Sequence, residues 1–136
     1  PAVVVDSSFD PGDGNNVLRY GDFSYQGTIL GTGVDMAAME FMHLDIWVES
    51  DDTNTYKVTP IGGSENLVDI TTTPGSWNSV DIPVSSFPNV NFSNVAQMKF
   101  DGGTGAVLSR QRWHLQVQTC NCGNSSISLP LNGAQI

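Results

Sequence analysis

The chain of 136 residues is predicted to fold as a single all-β sandwich of two antiparallel sheets, with at most one short helical turn. Composition gives the first reason. Hydrophobic residues make up 39% and charged residues 14%, which leaves the intervals between apolar runs to Gly, Ser, Thr, Asn and Asp, the residues of turns. The second reason is pattern, because the apolar runs are strand-sized and alternate with period two.

In order, strands are expected at 3–5, 17–20, 23–28, 41–48, 56–61, 66–70, 78–82 and 95–100. The segments 10–16, 62–64, 73–76 and 101–105 read as loops, since Gly supplies positive φ and Pro fixes φ in turns. Helix-forming residues gather only around 34–42, where Asp35 is placed to cap a turn through Met36, Ala37, Ala38 and Met39. Near the end, Trp113, Leu115 and Val117 alternate with His114, Gln116 and Gln118, so this segment suits a closing strand. No internal repeat is visible.

The string His43-Leu-Asp-Ile-Trp-Val-Glu49 carries the candidate site. Alternation puts Leu44, Ile46 and Val48 on one face and His43, Asp45, Trp47 and Glu49 on the other. With the aliphatic face in the core, the other offers an aromatic ring flanked by hydrogen-bonding groups. That combination matches a sugar, whose C–H faces stack on aromatics and whose hydroxyls pair with imidazole and carboxylate. The same parity turns Gln97 and Lys99 outward on one run and Lys57 on another. Arg19, Lys57 and Lys99 are expected to gather on one sheet, which points to a carboxylated ligand such as a uronic-acid polymer. Two plainer roles stand beside these: a strand Trp packs beneath loops, and outward Lys or Arg pairs with Asp45 or Glu49. Trp77 is read as structural, closing the sandwich edge.

Five Lys and Arg against fourteen Asp and Glu give a formal charge of −9, which opposes nucleic acid and anionic membrane as partners. No apolar stretch reaches the roughly 20 residues that span a bilayer. A start at Pro1 rather than Met reads as a piece of a longer or processed polypeptide. Cys120 and Cys122 flank one residue and lack the four ligands of a structural zinc site.

The strings Val17-Leu-Arg-Tyr20, Tyr25-Gln-Gly-Thr28, Val34-Asp-Met-Ala-Ala-Met-Glu-Phe-Met-His-Leu-Asp-Ile-Trp47 and Gly75-Ser-Trp-Asn-Ser-Val-Asp-Ile-Pro-Val-Ser-Ser-Phe87 resemble jelly-roll carbohydrate-binding modules. Such modules are appended to secreted bacterial laminarinases, agarases and alginate-degrading enzymes, particularly in marine Bacteroidetes. The resemblance covers residues 17–101 of a single domain spanning 1–136. It implies a β-jelly roll, non-catalytic polysaccharide binding, an attached catalytic domain, secretion to the extracellular space, and a structural Ca²⁺ held by acidic loops. For that ion the loop containing Asp6, Asp10 and Asp13 is preferred, because calcium takes six to eight oxygens and this turn offers carboxylates and carbonyls. Glu49-Ser-Asp-Asp-Thr-Asn54 is a second oxygen-rich loop.

The segment 107–136 departs from the resemblance, where a strand beginning Asp-Asn and rich in aromatics is expected. Codons TCT CGA CAA CGT TGG CAT CTT CAA GTA CAA encode residues 109–118, and reading them from the second base of the Arg110 codon yields Asp-Asn-Val-Gly-Ile-Phe-Lys-Tyr. The expectation is a one-base slip near Val107 or Leu108, and encoding DNA with codons incompatible with that frame would sink it. Two other function classes compete with a binding module. A small polysaccharide-active enzyme would need two carboxylates at catalytic spacing, yet Asp45 and Glu49 lie about 13 Å apart along a strand. A structural, adhesion or filament subunit would use exposed edges and the tail.

Overall fold

The computed structural model describes residues 4–10, 14, 16–21, 24–102, 110–118 and 126–128, with backbone alone at 4, 5, 7, 17, 18, 21, 110–118 and 126–128. Its strands are β1 (Val4–Phe9), β2 (Val17–Gly21), β3 (Tyr25–Val34), β4 (Phe41–Val48), β5 (Tyr56–Ile61), β6 (Val68–Ile70), β7 (Ser76–Pro83), β8 (Val95–Asp101), β9 (Arg110–Gln118) and β10 (Ser126–Ser128). They form two antiparallel sheets. The first runs β1-β2-β9-β4-β7 with β10 paired to β9, and the second runs β3-β8-β5-β6. From β2 to β9 every connection except β5 to β6 crosses from one sheet to the other, which is the interleaving of a jelly roll. The all-β sandwich expected from the sequence is what forms.

The core lies between the sheets. On β4, Met42, Leu44, Ile46 and Val48 are buried, and they meet Tyr56, Val58, Met98 and Phe100 from the facing sheet. Each such side chain, taken fully out of water, contributes about 1.5–3 kcal/mol. The turn expected after Val34 is present: Asp35 Oδ1 accepts from the Ala37 amide at 2.9 Å, and the Met39 amide donates to the Met36 carbonyl at 3.0 Å. Two 3₁₀ turns, Val84–Ser86 and Phe92–Asn94, join it at the base, where Phe87 is buried and Phe92 packs against the core.

Several strands differ from their expected extent: β1 runs on to Phe9 rather than ending at 5, β6 begins at Val68 rather than 66, and β7 spans Ser76–Pro83 rather than 78–82. β3 spans Tyr25–Val34 against the expected 23–28, running on past Gly31 and Gly33. Both take positive φ, 82° and 98°, and the register with β8 shifts between Ile29 and Val34, so the glycines form an irregularity within the strand rather than its end. The closing strand begins at Arg110 and is central, pairing with β2 on one side and β4 on the other.

Candidate glycan-binding face

β4 presents His43, Asp45 and Trp47 on the outer face of the first sheet, opposite its buried aliphatic row. One register row crosses that sheet through Asp6, Arg19, the backbone position of Arg112, Trp47 and Trp77. Arg19 stacks its guanidinium 4.9 Å from the Phe9 ring centre, beside Asp6. Asp6 is held below the usual carboxylate range, first by the Ser8 amide and hydroxyl that donate to it, and then by the Arg19 charge.

Trp77 does not close the sandwich edge, as the sequence reading expected. It is 37% exposed on the outer face of β7, with its ring centre 5.9 Å from that of Trp47 and the planes at 74°, an edge-to-face pair. The turn before β7 fixes this placement. Gly75 takes φ 76° and donates its amide to the Val48 carbonyl at 2.7 Å, tying the turn to the end of β4. Asn78 accepts from the Thr73 amide at 2.6 Å and donates to the Ser76 and Ile46 carbonyls at 3.0 and 3.3 Å. Trp77 therefore stands directly across from Trp47. The signal was in the sequence, since Trp77 and Asp81 share a parity opposite to that of Val80 and Ile82.

Four residues along β4 from Trp47, His43 sits between carboxylates: its Nδ1 is 2.6 Å from Asp81 Oδ1 on β7, and its Nε2 is 3.4 Å from Asp45 Oδ2. Burial opposes the imidazolium, but the hydrogen bond to Asp81 and the charges of Asp45 and Asp81 outweigh it, and the His43 pKa lies above its ordinary 6.5. Folding thus tightens the proton. The stabilisation from this cluster is complete below the ordinary value and is lost as pH rises through the raised one.

The other predicted ligand residues lie elsewhere. Gln97 and Lys99 on β8 and Lys57 on β5 do face outward, but from the second sheet, so they do not join Trp47, His43, Asp45 and Arg19. Arg19, Lys57 and Lys99 therefore do not gather on one sheet, contrary to the expectation from the sequence. Alternation reports which face of a strand looks outward, whereas the jelly-roll crossing decides which sheet that strand enters. Each lysine there has a carboxylate partner: Lys99 Nζ is 3.1 Å from Glu65 and Lys57 Nζ is 3.3 Å from Asp69. Lys99 Nζ also lies 5.7 Å from the Tyr25 ring centre.

The loop preferred for calcium is only partly described. Asp6 Oδ1 accepts from the Ser8 amide and hydroxyl at 2.9 and 3.0 Å, Asp10 Oδ1 accepts from the Gly14 amide at 3.1 Å, and Asp13 lies outside the described residues. Among the described residues, no three His, Cys, Asp or Glu side chains gather as a metal site. In the second oxygen-rich loop Asp52 is buried and serves its own loop: it accepts from the Asn54 amide and side chain at 2.9 and 2.7 Å and from the Tyr56 hydroxyl.

Fold and face together define a jelly-roll sandwich bearing a paired-indole, hydrogen-bonding surface on one sheet. Among solved structures, the crystal structure of a family 30 carbohydrate-binding module is similar, with a TM-score of 0.62 and 15% identity over 96% of this chain and 80% of that one. At that identity the likeness shows a shared fold. No family model and no curated protein matches the chain.

Proposed function

We propose that this chain is a non-catalytic carbohydrate-binding module that takes a polysaccharide on the outer face of β4 and β7. One observation carries the reading: the edge-to-face pair of Trp47 and Trp77, set on a sheet face beside His43, Asp45 and Asp81. Indole faces stack on sugar C–H groups, and the carboxylates accept from hydroxyls. The likeness to a carbohydrate-binding module supports it at the level of fold. In this reading the module is secreted and holds an attached glycanase or lyase against its substrate. An acidic glycan such as alginate loses its premise, because Lys57 and Lys99 stand on the opposite sheet in ion pairs.

The test is retardation of the intact chain in native gels cast with laminarin, xylan, agarose or alginate. Retardation by at least one polymer is expected. Free migration in all of them overturns the reading, and cleavage of any polymer by the purified chain overturns its non-catalytic part.

Calcium in the loop of Asp6, Asp10 and Asp13 is a separate part of the proposal, supported by the oxygen-rich composition of that loop. Two carboxylates, each with one oxygen already accepting from its own loop, fall short of a calcium shell, so Asp13 and backbone carbonyls must supply the rest. The expected result is a melting temperature raised by calcium chloride and lowered again by EGTA. A melting curve indifferent to both removes the metal from the proposal.

A further inference from the structure

The His43 cluster is more than a polar patch. Its imidazole lies between two carboxylates on different strands, Asp45 on β4 and Asp81 on β7, and these strands are the ones that carry Trp47 and Trp77. A neutral imidazole has one N–H and one lone pair, so one of its nitrogens would turn a lone pair toward a carboxylate oxygen. Only the doubly protonated ring faces both carboxylates with donors. The His43 side chain is 17% exposed, against 34% for Asp45 and 68% for Asp81, so the cation lies below and the carboxylates reach outward.

We propose that His43 is a positioning residue of the glycan face: donating from both ring nitrogens, it holds Asp45 and Asp81 as one fixed acceptor pair for sugar hydroxyls, and releases them when it deprotonates. The proposal rests on the glycan-binding reading above. Its chemistry is specific at this subsite. Two carboxylates offer acceptors only, which match hydroxyl donors of an uncharged sugar and repel a sugar carboxylate. The release is also specific, because loss of the imidazolium leaves two like charges flanking a ring with a single donor. The raised His43 pKa agrees with this arrangement.

On β4 the outward neighbours of His43 are Phe41 and Asp45, and on β7 Asp81 is flanked by Ser79 and Pro83. On β9 the positions across from His43 and Asp45 are Gln116 and His114. Because His114 is the chain's other histidine, the measurement is made in a His114→Gln background.

The experiment pairs two readouts on the intact chain between about pH 5.5 and 8.5, a window that brackets a histidine raised above its usual value. One is gel retardation by the polysaccharides named above, and the other is the imidazole NMR titration of His43. Affinity for the retained polymer is expected to fall about tenfold across that window, with its midpoint on the His43 titration. Asp81→Asn removes one of the two partners and is expected to move both midpoints to lower pH together. Asp45→Asn does the same through the other partner. Affinity that stays level while His43 titrates overturns this inference and leaves the glycan reading intact. A His43 midpoint unmoved in both variants overturns it as well, whereas absence of retardation at every pH sinks the glycan reading and this inference with it.

Discussion

Trp47→Ala is expected to weaken polysaccharide binding at least about thirtyfold, the roughly 2 kcal/mol typical of a dominant contact residue. Trp47 stands on β4, an interior strand of its sheet, with Trp77 across from it and the His43 cluster four residues away along the same face. Removing its indole takes away one stacking surface and the edge that supports the other. An edge-to-face pair contributes about 0.5–1.5 kcal/mol beyond its buried area, so the same change also lowers the melting temperature. Trp77→Ala therefore discriminates better. Trp77 is exposed on an edge strand, so its loss is expected to reduce affinity about tenfold, roughly 1.4 kcal/mol, with a smaller drop in melting temperature than Trp47→Ala, since both changes lose the indole pair but Trp77 buries less of its own surface. Titration calorimetry against the retained polymer, with thermal melts of both variants, decides the matter. If folded Trp77→Ala and Trp47→Ala proteins bind as the parent does, the ligand is not on this face.

Asp52→Ala is expected to cost about 3 kcal/mol of folding stability. The carboxylate is buried, at 5% exposure, and gathers the Asn54 amide, the Asn54 side chain and the Tyr56 hydroxyl. A hydrogen bond to a charged group contributes about 1.5–3 kcal/mol, and buried groups that lose their acceptor add a desolvation cost. Tyr56 is itself fully buried at the start of β5, so the damage reaches the core through the loop that links β4 to β5. Asp52→Asn keeps one acceptor oxygen for the Asn54 donors and is expected to lose about half as much. Chemical denaturation of the two variants measures the difference. Equal stability of Asp52→Ala and the parent would mean that the loop reorganises at no cost.

How much of this was legible in the sequence depends on the kind of information each residue carries. The stretch from Leu44 to Val48 alternates cleanly, and its inward and outward sets form as read, because a half-buried strand leaves no other way to hide three aliphatic side chains. The Asp35 turn was legible for a similar local reason: a carboxylate two residues before an amide needs only its own backbone. The partition of strands between sheets was not. Lys57 and Lys99 carry the same outward signal as His43, but the crossings from β4 to β5 and from β7 to β8 send them to the far side, a fact that belongs to the whole topology. Trp77 was misplaced because its position after a Pro-Gly turn suggested an edge plug, although its parity with Asp81 already set it on the site face. The part of β3 beyond residue 28 carries little pattern to read, because Gly31 and Gly33 have no side chain to show which face they take.

The two facing indoles have an optical consequence. Trp47 and Trp77 come from strands distant in sequence, and the sheet that joins them also needs β9 from further along the chain. Sheets closed by such long-range pairings assemble late and slowly. Chromophores held at 5.9 Å and 74° couple their transitions, and the resulting circular-dichroism couplet exists only while β4 and β7 lie side by side. The chain thus carries an intrinsic clock for the last stage of its own folding, readable by stopped-flow without any added label.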